Sequence, residues 1–349
     1  MSPFAAAAHQ VARGDRLLGR RRIRGALAAY RRAVALGLDP GEGVERRWVS
    51  AMLLGRFAEA WAESDRVIAE RRRSGAGCLD RPEHLRWVWD GTPLAGRRVL
   101  VRCYHGLGDT LQFIRFVAPL RRLARQVAVE CQPALLPLLA PLGGIDAIGP
   151  PGSQAAGAEV EIELMELPHA LRATLDRLPP VPPALAAAGI AARSPRAPGA
   201  ALRVGLAWAG GDWDARRSLP PRCLAALAGL PGVAFHSLQR GPAARLPAGL
   251  PAPAFRNPGD DSMAVLDTVR LMRRLDLVIS IDSMVAHLAG SLMLPVWTLL
   301  HRDADWRWLA GRRDSPWYPT MRLYRQRRPG DWAPVLDAVR RDLAALAAR

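Results

Sequence analysis

The sequence contains no lysine, so all 49 of its Lys-plus-Arg residues are arginine, and the formal net charge is +17. The arginines are spread from end to end rather than gathered in a block. This reads as a compositional bias and not as a basic patch built for nucleic acid. No DNA- or RNA-binding motif accompanies the charge, and acidic small molecules fit it as well. Cysteine is scarce: Cys78, Cys103, Cys131 and Cys223 form no CxxC pair. That argues against a metal cluster or a disulfide framework and for a reducing compartment. No apolar run is long enough to span a bilayer. The opening MSPFAAAAHQVARGDR lacks the basic start and long apolar core of a signal peptide. A soluble, cytoplasmic protein is the expectation, with peripheral attachment to the inner membrane face as a variant of it. No Asp-x-Asp motif falls in a loop suited to a metal, so none is expected.

Half of the 349 residues are hydrophobic, enough for two or three domains with sizeable cores. The informative stretch is RRVLVRCYHGLGDTLQFIRF, residues 97–116. Val99, Leu100 and Val101 suit a buried strand. Gly106 and Gly108 form a glycine turn, and Leu111, Phe113, Ile114 and Val117 follow at helical spacing. Strand, turn and helix N-terminus bring backbone N–H groups and the positive end of a helix to the carboxyl end of a strand. Asp109 at that point either caps the helix or faces a substrate.

Residues 1–75 read as helices. Ala26, Tyr30 and Ala33 recur as Ala60, Ser64 and Val67, and Ile23 recurs as Phe57, each 34 residues on. This is the tetratricopeptide period. Two such repeats are few for a free solenoid, so docking on the next domain is expected; a plain pair of helical hairpins is the other reading. Residues 73–96 form a linker carrying Trp87 and Trp89.

The α/β alternation begins after it. Strands at 97–103, 126–131, 145–148 and 160–164 alternate with helices at 109–124 and 134–140. A Pro- and Ala-rich boundary covers 179–199. A second block runs through strands 204–208, 233–238, 276–281 and 295–300, with helices at 221–229, 263–274 and 283–292. A final amphipathic helix covers 333–348. The pattern predicts two doubly wound, parallel-sheet domains, at 76–190 and 200–332, with a cleft between them, then a C-terminal helix at 333–349. Trp306, Trp308 and Trp317 read as packing that closes the second domain, and Asp305 and Asp314 as loop and turn residues.

GLGDT after the first strand, RRSLP in the second block and DLVISIDSMVAHLAGSLMLPVWTLL together resemble family 9 glycosyltransferases, the heptosyltransferase-like enzymes. The tail DWRWLAGRRDSPWYPTMRLYRQRRPGDW is similar to the branch in which tetratricopeptide repeats precede the catalytic domain. The resemblance covers residues 80–348. It implies the GT-B fold, with the acceptor mostly on the first Rossmann-like domain and the donor mostly on the second. It also implies inverting, metal-independent transfer from a nucleoside-diphosphate sugar, ADP-heptose being the family's best-known donor, to a hydroxyl on a glycan or protein. On that resemblance Asp109 is the catalytic base and Arg217 lies on the donor diphosphate. Asp282 and His287 match the D-x-x-x-x-H signature, Ser283 and Met284 offer helix N–H groups, and Gln239 contacts the nucleoside. Tyr104-His105 departs from the pattern and leaves the acceptor contacts open.

Metal-free transfer must meet the leaving diphosphate's charge with Arg217 and the helix end at 283, while Asp109 takes the acceptor proton. His287, one turn into its helix, reads either as a core histidine or as a donor contact. Two other functions compete: an inactive transferase fold serving as an adaptor whose repeats hold a protein partner, and an arginine-rich nucleic acid binder.

Overall fold

The computed structural model describes residues 2–74, 88–190, 196–197, 199–211, 214–241, 255–256 and 264–348. Cys78, Trp87 and most of the linker lie outside the described residues, as does part of the boundary stretch at 191–195.

Four helices come first: α1 (Pro3–Gly19), α2 (Ile23–Ala35), α3 (Val44–Leu53) and α4 (Phe57–Ser74). Buried Arg47 on α3 forks onto Glu63 of α4 at 3.0 and 2.9 Å, fixing that hairpin. The helices dock on both α/β halves of the chain. Trp61 Nε1 donates to the Ala173 carbonyl at 2.7 Å, and Asp65 accepts from Arg172 at 2.9 Å. The Trp48 and Trp306 rings meet edge to face at 5.5 Å, and Ala310 N donates to the Leu53 carbonyl at 2.7 Å. The expected docking is therefore present, and it reaches the tryptophan-rich segment of the second half as well as the first half.

The first sheet holds β1 (Arg98–Arg102), β2 (Gln126–Glu130), β3 (Ala147–Gly149) and β4 (Val160–Glu163). Its order is β3-β2-β1-β4 and every pairing is parallel. After β1 come α5 (Leu107–Phe113), a 3₁₀ turn at Ile114–Phe116 and α6 (Val117–Leu123). The short helices α7 (Leu136–Leu139), α8 (Leu167–Ala170) and α9 (Pro183–Ile190) complete this half.

The second sheet contains β5 (Leu202–Ala207), β6 (Val233–Ser237), β7 (Phe255–Arg256), β8 (Leu277–Ile281), β9 (Val296–Leu300) and β10 (Met321–Arg325). The order is β10-β9-β8-β5-β6-β7, again all parallel. Helix α10 (Val265–Met272) precedes β8, and α11 (Met284–Ser291) follows it. The chain ends in α12 (Ala333–Ala347), which buries Val335, Leu336, Val339 and Leu343 against the second core.

Several expectations change, and the single helix expected at 109–124 is interrupted by the 3₁₀ turn at Ile114–Phe116. The segment expected as a helix at 221–229 is a 3₁₀ turn, Pro221–Ala226, where Pro220 and Pro221 supply no N–H donors. The tryptophan-rich tail adds an edge strand, β10, that its arginines conceal. The two halves also touch directly. One apolar core runs from Phe57 and Trp61 through Val99 and Val127, then across Leu111, Phe113, Ala286 and Leu288 to Trp308 and Trp317. Helices α5 and α11 face each other where the sheets' carboxyl ends converge.

Candidate active site

Val99, Leu100 and Val101 are buried in β1, and the chain leaves the sheet at Cys103. Gly106 is the N-cap of α5 and Asp109 its third helical residue. Asp109 Oδ2 accepts from the Gly106 N–H at 3.0 Å, so Asp109 does cap the helix. Its other oxygen, Oδ1, accepts from Arg307 Nη2 at 2.7 Å. Gln132 splints the turn: Nε2 donates to the carbonyls of Cys103 and His105 at 3.3 and 2.6 Å, and Oε1 accepts from Thr110 Oγ1 at 3.0 Å. His105 Nδ1 lies 3.1 Å from Glu163 Oε1 at the end of β4. A carboxylate only accepts, so Nδ1 carries the hydrogen. The Glu163 bond raises the His105 pKa against the opposing effect of burial.

On the other side, β8 is buried along its length and Asp282 is the first residue past it. Arg217 ends a 3₁₀ turn and is itself buried. It donates to the carbonyls of Asp282 (Nη1, 3.1 Å), Gly211 (Nη2, 3.3 Å) and Asp214 (Nε, 3.4 Å). The guanidinium thus braces the loop after β5 against the end of β8. Gln239 braces the same loop. Its Oε1 accepts from Trp208 N and Ala209 N at 2.9 and 2.8 Å, and its Nε2 donates to the carbonyls of Ala209 and Arg240 at 3.1 and 3.2 Å. Ser283 is the N-cap of α11, but its hydroxyl pairs with Ser280 Oγ at 3.0 Å and makes no cap bond. Ala286 N donates to the Ser283 carbonyl at 3.0 Å, while among the described residues the Met284 and Val285 amides have no acceptor and are left for another.

Burial pushes the Asp282 carboxyl up to about 6, with Asp305 adding to it. His287 Nε2 stands 3.9 Å from Asp282 Oδ1, while Nδ1 lies 3.1 Å from the Tyr318 hydroxyl. Its ring stacks on Trp308 at 5.2 Å. Burial drives the imidazole down to about 3, and Arg307, Arg115 and Arg217 push the same way. His287 therefore sits neutral inside the seam between the halves, not on an open rim. A Cβ on Gly290 would stand 2.5 Å from the Tyr318 ring, so the bare glycine is what admits that tyrosine beside α11. Ser291 Oγ donates to the Leu111 carbonyl at 3.2 Å, and Arg115 Nη1 to the Trp317 carbonyl at 2.7 Å, both across the seam.

The residue that sequence reasoning missed is Arg307. It is buried between Trp306 and Trp308 and lies over the Trp306 and Phe113 rings at 4.8 and 5.4 Å. Nη1 donates to Asp305 Oδ1 at 2.8 Å. Burial opposes its charge, but Asp305 and Asp109 more than offset this and hold its pKa above the ordinary value. Asp305 is thus more than a loop residue, and the tryptophans carry a cation to the glycine turn as well as packing. Asp314 pairs with its neighbour Arg312 and stays away from the seam. Among the described residues, no group of three or more His, Cys, Asp or Glu is placed to hold a metal ion.

No protein-family model matches the chain, and no curated protein matches it either. Solved structures do. E. coli heptosyltransferase WaaC with ADP-2-deoxy-2-fluoro heptose is similar over 71% of this chain and 99% of its own, at 12% identity and a TM-score of 0.50. The glycosyl transferase family 9 structure from Veillonella parvula DSM 2008 covers 71% and 90%, at 11% identity and 0.46. The iron-containing dodecameric glycosyltransferase TibC from enterotoxigenic E.coli H10407 covers 59% of this chain but only 58% of its own, at 16% identity and 0.43. The WaaC likeness concerns the fold alone. The chain has the two-sheet α/β architecture of the GT-B heptosyltransferases, preceded by an all-helical segment of about 70 residues.

Proposed function

We propose that the chain is an inverting, metal-independent glycosyltransferase. It would move a sugar from a nucleoside-diphosphate sugar, ADP-heptose-like in kind, to a hydroxyl on a glycan or protein acceptor. The observation that carries this reading is one juxtaposition. A carboxylate on a glycine turn, Asp109, stands at the carboxyl end of β1. The uncapped N-terminus of α11 and Arg217 stand opposite it, at the carboxyl end of β8. In such sheets ligands bind beyond the strands' carboxyl ends.

In this reading the first-turn amides at Ser283 and Met284, with Arg217 beside them, meet the charge that develops on the diphosphate as the anomeric bond breaks. Asp282 and Gln239 shape the donor wall, and His287 supports it from behind. Asp109 takes the proton of the acceptor hydroxyl as its oxygen bonds to the anomeric carbon. Residues 76–190 carry the acceptor side and 200–332 the donor side, and the helical repeats stiffen both through Trp48 and Trp61.

A thermal-shift screen of nucleoside diphosphates and their sugars tests it, because a ligand that binds only the folded state raises the melting temperature. At least one nucleotide should do so, and its sugar conjugate should be turned over with inversion in EDTA. No shift with any of them would end the reading. Turnover lost on chelation and restored by added metal would end its metal-free part.

A further inference from the structure

We propose that Arg307 is a diphosphate-binding residue held in reserve by Asp109. On this view donor binding draws the guanidinium off Asp109 Oδ1 and thereby frees the oxygen that takes the acceptor proton. The inference rests on the glycosyltransferase reading above.

The guanidinium lies over the Trp306 and Phe113 rings, but its hydrogen bonds go to side chains alone and none fixes it to the backbone. Nη2 bonds Asp109 Oδ1 at 2.7 Å and Nη1 bonds Asp305 Oδ1 at 2.8 Å, with Met165 Sδ 3.5 Å from Nη2. Nε is buried without a partner among the described residues. Arg217, by contrast, bonds three backbone carbonyls and is fixed to the fold. An arginine fork suits phosphate oxygens as well as it suits carboxylates.

The position fits too. Arg307 precedes Trp308, which stacks on His287 of α11, and Asp109 follows Gly108, whose Cβ would lie 3.5 Å from Met284 Cα. The pair therefore stands beside the first turn of α11, where the diphosphate is proposed to sit. Without donor both Asp109 oxygens are engaged, Oδ2 by Gly106 and Oδ1 by Arg307. With donor, Arg307 turns to the phosphate and Oδ1 becomes available. The acceptor proton then passes to Oδ1, the acceptor oxygen bonds to the anomeric carbon, and the nucleoside diphosphate leaves with the electron pair of its C–O bond. Asp109 and the donor compete for one guanidinium, so each weakens the other's hold on it.

Calorimetry with ADP on the full chain tests this through Asp109→Asn, Arg307→Gln and the double variant. Asp109→Asn should tighten ADP binding about threefold or more, because the competing partner is gone. Arg307→Gln should weaken it about tenfold. The gain from Asp109→Asn should vanish in the Arg307→Gln background. A gain that persists there would mean simple removal of a negative charge, and would overturn the proposal. Unchanged ADP affinity in Asp109→Asn alone would overturn it as well, without any Arg307 variant. If Arg307→Gln does not fold, Arg307→Lys takes its place in the cycle and should shrink the gain. ADP binding without coupling defeats only this inference. A wild-type chain that binds neither ADP, UDP, GDP nor pyrophosphate defeats the glycosyltransferase reading and this inference together.

Discussion

Gly108 and His287 meet across the seam with no room for a side chain between them: a Cβ on Gly108 would stand 2.8 Å from the imidazole Cδ2. The imidazole cannot retreat, because Trp308 stacks on it and Tyr318 holds Nδ1. Gly108→Ala should therefore push α5 away from α11. We expect a loss of about 1–3 kcal/mol in stability, as for other overpacked cores, and a larger loss of transfer activity. Gly106 is the control: its nearest such contact is Asp109 Oδ2 at 3.4 Å, and its φ of −68° suits alanine. Urea midpoints and transfer rates for the two variants check this, and equal effects would count against the seam as the critical contact.

Much of the seam's architecture was legible because it is written in buried runs followed by turns. Val99–Val101 before Gly106, and the apolar run ending at Ile281 before Asp282, name two strand ends and two helix starts, and the structure has both. The N-terminal segment read as helices that dock, and its helices do dock. What stayed hidden was of another kind. Arg307 is one of 49 arginines, and nothing local marks it out; its contact with Asp109, 198 positions earlier in the chain, exists only once the chain has folded. The strand β10 was missed because MRLYR carries arginines at an edge, where Arg322 lies over the Trp297 and Tyr324 rings. The burial of His287 depends on Tyr318 and Trp308, which arrive from a segment without helical or strand periodicity.

Acid stability should report that burial. The imidazole of His287 protonates at about 3 in the fold against 6.5 ordinarily. Between those values the unfolded chain binds a proton that the folded chain does not, so stability falls as pH falls from 6.5 toward 3. Asp282 acts in the opposite sense: its carboxyl, raised from 3.8 to about 6, lets the folded chain hold a proton the unfolded chain lacks. From pH 6 to 4 the two slopes largely offset each other. His287→Gln removes only the first. The stability difference between wild type and variant should shrink by on the order of 2–3 kcal/mol between pH 7 and pH 4. Denaturant titrations at the two pH values measure it, and a constant difference would mean that His287 titrates normally.

The proposed donor wall offers a sharper test through its two bracing side chains, Arg217 and Gln239. Arg217 reaches the Asp282 carbonyl at 3.1 Å, so its removal takes a cation from the end of β8 next to α11. Arg217→Ala should weaken ADP and inorganic pyrophosphate alike, by roughly 1–3 kcal/mol for a lost charged hydrogen bond. Gln239 is the residue that the family resemblance assigns to the nucleoside. Yet its amide already accepts from Trp208 N and Ala209 N and donates to the Ala209 and Arg240 carbonyls. That accounts for both acceptor sites and both donors of a glutamine side chain. A residue so committed acts on a ligand through the loop it holds. Gln239→Ala should then lower stability by about 1–3 kcal/mol, since it leaves backbone groups unpaired, and should weaken ADP and pyrophosphate by the same factor. A variant that loses ADP affinity while keeping pyrophosphate affinity would instead put the Gln239 amide on the base or ribose, and would require its loop bonds to break when the donor arrives.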